Sequence, residues 1–218
     1  MSEAQTYGRA WEVPGKGVVV QTTRPAIDNL SDDVTVVWHD KRTISPEQRR
    51  KAWALMSEIA IWQGETKETV YAEQKCRFTL NHLEMLQDGL FRLSNADMST
   101  ASEFITMLVD TIIEYGIPTK EPLPTMCEDI NKYVYSCLMN KKCAVCGRHA
   151  ELHHIDRVGM GGDRKHMNHL GLKCLPLCRE HHDQAHSIGD KALMDQYHLV
   201  PGIIDEKVAK TYKLHKEV

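Results

Sequence analysis

The segment spanning residues 143–186 carries two short chelating pairs, Cys143-x-x-Cys146 and Cys178-x-x-His181. A two-residue spacing lets both members of a pair reach one ion from a tight turn. Three thiolates and one imidazole close a tetrahedral site that suits zinc. Such an ion supplies much of the stability of a small unit with few large apolar side chains. The chain has seven cysteines, an odd number, and Cys143, Cys146, Cys174 and Cys178 crowd into one segment, which favours metal binding over a disulfide framework. Cys174 reads as a packed thiol, with a place in the ligand set as the competing reading. Cys76, Cys127 and Cys137 have no partner pattern and read as core residues.

With His181 assigned, His153, His154, His169, His182 and His186 remain in the same stretch. His182 and His186 are four apart, so on a helix they share a face and can hold one ion. A strand residue opposite that helix would add a third ligand. Three protein ligands with open positions are the arrangement of a catalytic ion rather than a structural one. His153 and His154 are adjacent, and neighbouring strand residues point to opposite faces. One of the pair can therefore serve the ion while the other acts as a general base.

These side chains need elements to position them. Valine and threonine mark strands at 17–23 and 33–38. Ser45, Pro46 and Gln48 predict a capped helix start, with Trp53, Leu55, Met56, Ile59, Ala60, Trp62 and Gln63 near its apolar side and Gly64 as its stop. Further helices are expected at 67–78, at 127–139, and from a Thr100/Glu103 capping box to Gly116. "AELHHI" reads as a short strand and "LCREHHDQAHSIG" as a knuckle turn running into a helix. Two short helical patterns flank Pro201-Gly202. Residues 1–140 carry 14 Lys and Arg against 20 Asp and Glu, whereas 141–218 carry 13 against 10 and ten of the twelve histidines. That shift places a boundary near residue 140, giving an α+β chain in two parts, 1–140 and 141–218.

The order "ELHHI", "MNHL", "LCREHHDQAH" resembles the HNH nucleases of the ββα-metal, zinc-knuckle type, over residues 143–189. The resemblance implies that His153, His182 and His186 bind a catalytic divalent ion, Mg²⁺ or Mn²⁺, and that His154 activates the attacking water. Either His169 or Asn168 fills the middle position that orients this base, with His169 favoured. Structural zinc falls to Cys143, Cys146, Cys178 and His181. The implied reaction is hydrolysis of a DNA phosphodiester, leaving a 5′-phosphate and a 3′-hydroxyl. In the loop "GMGGDRKH", glycine amides with Arg157, Arg164 and Lys165 are suited to phosphate contact, and a plain connection between two strands is the equal alternative.

A looser resemblance covers residues 17–122. "RTISPEQRRKAWALMSEIAIWQG" followed by "STASEFITMLVDTIIEYGI" is similar to the phage Orf (NinB) recombination mediators. It implies single-stranded DNA binding, a homodimer, and a recombinase or single-strand-binding protein of phage or host as partner. Arg49 and Arg50, within a basic helix start, are the candidate phosphate contacts. Trp53 and Trp62 read as core rather than base-stacking residues. The expected activity is thus a phage-type recombination endonuclease cutting single-stranded or branched DNA. A non-catalytic mediator with a structural zinc module and a sequence-specific restriction or homing-type nuclease are the alternatives. No apolar run approaches the roughly 18 residues of a membrane helix. The N-terminus lacks a secretory apolar stretch, so the expected site is the bacterial cytoplasm.

Overall fold

A computed structural model describes residues 8–13, 17–22, 42–82, 91–156 and 169–214. The chain divides into two compact units, Met1–Trp38 and His39–Val218. In the first, strand β1 (Gly8–Val13) pairs antiparallel with β2 (Gly17–Thr22), Val13 lying opposite Gly17. The valine run of β2 favours extended backbone. The mixed composition of β1 gives no such signal, and the sequence reading did not include it. The strand expected at 33–38 lies outside the described residues.

The second unit opens with helix α1 (Pro46–Gln63), capped as its sequence predicts. Ser45 Oγ accepts from the Gln48 N–H, and Gln48 Oε1 accepts from the Ser45 N–H, both at 3.1 Å. Gly64 ends the helix in left-handed backbone at φ 74°. The buried stripe Ala52, Leu55, Met56, Ile59 and Ala60 packs on α2 (Lys67–Asn81) and α3 (Met98–Tyr115). The start of α3 corrects the sequence reading. Asp97, not Thr100, is its N-cap, because the Asp97 carboxylate accepts from both the Thr100 N–H and the Thr100 hydroxyl at 2.8 Å. A bridge between Thr43 and Asp97 ties the starts of α1 and α3 together, and Gln48 Nε2 donates to the Met98 carbonyl at 3.0 Å.

Two core assignments also change. Trp53 is half-buried against Tyr71, but Trp62 is 48% exposed, because the neighbouring helices leave the last turn of α1 uncovered. Its ring lies 5.8 Å from that of Tyr115, itself 55% exposed. Cys137 is buried and Cys127 half-buried, whereas Cys76 faces solvent.

Helices α4 (Leu123–Met126) and α5 (Ile130–Met139) lead into a small antiparallel sheet in the order β3 (Glu151–His154), β4 (Lys173–Leu177), β5 (Gly202–Ile203). Helix α6 (Arg179–Ile188) packs on β3 and β4, completing a ββα unit, and is followed by α7 (Asp190–Tyr197) and α8 (Glu206–Thr211). Helix α5 is shared. It touches α3 on one side and β4, β5 and α8 on the other, so the core continues through residue 140, where the charge balance changes. The architecture is α+β.

Gly202 lies where β5 approaches α5 closely. A Cβ there would stand 2.6 Å from Leu138 Cδ1 and 3.4 Å from Val134 Cγ1, both on α5 and fully buried. Gly202→Ala is expected to cost about 1–3 kcal/mol by overpacking, read as a lower denaturation midpoint in urea with an unchanged slope.

Candidate metal centres

The first cluster is built by a knuckle and a helix start. Cys143 N–H donates to the Arg148 carbonyl at 2.7 Å and Gly147 N–H to the Cys143 carbonyl at 2.8 Å, a tight loop that Gly147 permits at φ 70°. Cys178 is the N-cap residue of α6, and its side chain makes no capping hydrogen bond. One turn on, His181 faces the same side. Cys146 Sγ and Cys178 Sγ are 3.7 Å apart, and His181 Nδ1 lies 3.5 Å from Cys143 Sγ and 3.1 Å from Cys178 Sγ. Zinc–sulfur bonds near 2.3 Å at tetrahedral angles put two sulfurs about 3.8 Å apart, so the four donors already have the dimensions of one ion site.

Electrostatics within the cluster point the same way. Burial pushes the Cys143 thiol up to about 12, a cost that a bound cation reverses. Burial acts on Cys146 too, but hydrogen bonds outweigh it, chiefly from the Arg148 side chain, whose Nε is 3.2 Å from the sulfur, and hold that thiol below its usual range. Arg148 also bonds Glu180 on α6. Burial lowers the His181 pKa, which favours the neutral form that a metal ligand needs. The set of three cysteines and one histidine can bind zinc. Cys174 stays outside it, buried opposite His154 in the sheet with its thiol pushed up to about 12 by burial.

The second cluster joins β3 to the next face of α6. Ligand atoms of His153, His182 and His186 all lie within 4.8 Å of one another. The His153 ring stands nearly perpendicular to the other two, at centroid distances of 4.6 and 5.2 Å. His153 is buried, His182 half-buried and His186 exposed, so the cluster opens to solvent along the helix. Burial, then the neighbouring His153 and His186, lower the His182 pKa against the pull of Glu151. Its Nδ1 is buried without a hydrogen bond, the Glu151 carboxylate standing 3.5 Å away. A buried ring nitrogen without a partner is costly, and the nearby Glu151 carboxylate favours the tautomer with the proton on Nδ1, which leaves Nε2 as the ligand atom. Three imidazoles whose ligand atoms converge in this way fit a divalent ion.

His154 points away from this cluster, as strand alternation requires. Its Nε2 lies 3.1 Å from His169 Nδ1. Asn168, Arg157, Arg164 and Lys165 fall outside the described residues. In the basic start of α1, Arg49 reaches the Ser94 carbonyl at 3.5 Å, Arg50 is exposed, and Lys51 is ion-paired with Glu128 at 2.9 Å. Sequence reasoning missed Arg148, Glu151 and Asp190, whose carboxylate lies 2.7 Å from His153 Nε2. The first two adjoin motif residues in the sequence. Asp190 carried only the hint of following a glycine one turn beyond His186.

Comparison with known proteins adds one match. A family model described as "Putative HNHc nuclease" matches residues 18–215. No curated protein and no solved structure matches the chain. The matched span takes in both clusters and the helices in front of them, and the chain belongs to this HNH nuclease family.

Proposed function

We propose that the chain is a DNA endonuclease that hydrolyses phosphodiester bonds with one divalent ion, acting on single-stranded or branched DNA during recombination. The observation that carries this reading is the division of labour across β3: His153 faces His182 and His186, and its neighbour His154 faces His169. A divalent ion held by His153, His182 and His186 would neutralise charge on the phosphate and on the leaving oxygen. His154 takes the proton of the attacking water near neutral pH. Its hydrogen bond to His169 holds the ring in place; with His154 Nε2 as donor, Nδ1 is the accepting atom. As the water oxygen bonds to phosphorus, the bond to the 3′ oxygen breaks, and that oxygen takes a proton from solvent to become the hydroxyl.

Residues 1–140 would position the DNA and 141–218 would cut it. The exposed Trp62 and Tyr115 rings support an unpaired substrate, since bases stack on accessible aromatic faces. Arg49 and Arg50 would contact phosphates, and Arg157, Arg164 and Lys165 would add charge beside the cut. A homodimer, with a recombinase or single-strand-binding protein of phage or host as partner, completes the proposal, which places the protein in the bacterial cytoplasm. No helix among the described residues is long and apolar enough to cross a membrane.

Cleavage of matched single-stranded, branched and duplex DNA in Mn²⁺ and in Mg²⁺ tests this reading. Unpaired and branched substrates should be cut first, and faster with Mn²⁺, because three imidazoles suit a transition ion better than Mg²⁺. Site-specific cutting of duplex alone would point instead to a restriction or homing-type enzyme. Binding without cleavage in either metal would point to a mediator.

A further inference from the structure

We infer that Asp190 is a positioning residue that fixes His153 as a ligand through Nδ1. The inference rests on the reading of His153, His182 and His186 as an ion site. His153 is only 3% exposed, and Asp190 Oδ1 lies 2.7 Å from its Nε2. A carboxylate oxygen at this distance accepts a hydrogen bond from the ring, so in the inferred arrangement Nε2 carries the proton and Nδ1 presents the lone pair. Asp190 is not itself among the residues whose ligand atoms converge within 4.8 Å. It therefore stands behind the ligand, where a carboxylate raises ligand basicity and holds the ring's orientation.

The backbone is built to deliver this contact. Helix α6 stops after Ile188, and Gly189 adopts φ 89° and ψ 148° before α7 begins at Asp190. That region of backbone space is essentially restricted to glycine. The turn brings a residue four places beyond His186 back onto β3, so both the second-cluster ligands of α6 and the carboxylate after it address the same buried strand residue. A competing arrangement is a plain ion pair between imidazolium and carboxylate. It would put protons on both ring nitrogens and oppose cation binding, and so predicts the reverse response to removing the carboxylate.

The experiment uses the full chain with its structural zinc in place. Mn²⁺ binding is measured by titration calorimetry for the unchanged protein, Asp190→Ala, Asp190→Asn and His182→Ala. The tautomer of His153 is read by ¹⁵N NMR of histidine-labelled protein before Mn²⁺ is added. Asp190→Ala should weaken Mn²⁺ binding by about 10- to 100-fold and release His153 from the Nε2–H form. Asp190→Asn, whose amide oxygen still accepts from Nε2, should keep that tautomer and lose less affinity. Zinc content should stay at one per chain throughout. Affinity within twofold of the unchanged protein in Asp190→Ala, tighter binding there, or an Nδ1–H tautomer in the unchanged protein would overturn the inference. If His182→Ala weakens binding and Asp190→Ala does not, only the role of Asp190 fails. If His182→Ala binds Mn²⁺ as the unchanged protein does, the ligand reading fails and this inference with it.

Discussion

Replacing His154 with alanine should slow DNA hydrolysis by roughly 10²- to 10⁴-fold, the usual contribution of a general base, while both ion sites load normally. The expectation follows from the alternation of β3. His154 hydrogen-bonds His169 and belongs to neither candidate ligand set, so its loss would remove the proposed proton acceptor without removing a ligand. The half-buried side chain leaves a small void beside solvent rather than one in the core. Single-turnover cleavage rates together with metal content per chain check this directly. His153→Ala provides the contrast, because it should lose the second ion and the activity together. A His154→Ala protein that cuts at the full rate would remove His154 from the mechanism.

The largest effect on folding should come from Cys143→Ser. Structural zinc in small domains is associated with apparent binding free energies of about 10–16 kcal/mol, comparable with the whole net stability of a typical domain, about 5–15 kcal/mol. Cys143 is fully buried and anchors the knuckle to α6 through the shared site. The variant should purify with no zinc and without a cooperative thermal transition for the ββα unit. It should also lose the second ion site, because His181 of the first set directly precedes His182 of the second, and an ion held by the first set would fix the rotation of the helix that carries both. His182→Ala should keep its zinc. Zinc retained at one per chain in Cys143→Ser, or lost in His182→Ala, would overturn this partition of ligands.

The two candidate metal clusters were legible because their spacings are local. Cys-x-x-Cys, Cys-x-x-His and histidines four apart each describe one turn, and a single turn places its side chains with little help from the rest of the chain. The same holds for Ser45 and Gln48, whose capping box is complete within four residues. What escaped depended on tertiary return or on a choice between equivalent local signals. The sequence pattern pointed to Thr100 as the cap, but the Asp97 carboxylate takes that role and accepts from both the Thr100 N–H and its hydroxyl. Trp62 belonged to an apolar run, but its exposure is decided by where neighbouring helices stop. Asp190 meets His153 across 37 residues of sequence, a contact no periodicity encodes. Strand β1 has no strand signature of its own and exists through its pairing with β2.

Helix α5 has one further consequence. Its Tyr133 hydroxyl donates to the Ala144 carbonyl inside the zinc knuckle at 2.8 Å, and its Val134 and Leu138 form the wall against which Gly202 closes. The segment that carries both candidate metal clusters thus borrows its back wall from the helix that precedes it. Cut loose at residue 141, it would expose that apolar seam and leave a buried carbonyl without its donor. Unlike a self-contained cassette that can be moved between proteins, this ββα unit is expected to be inherited or transplanted only with the helix that lines it.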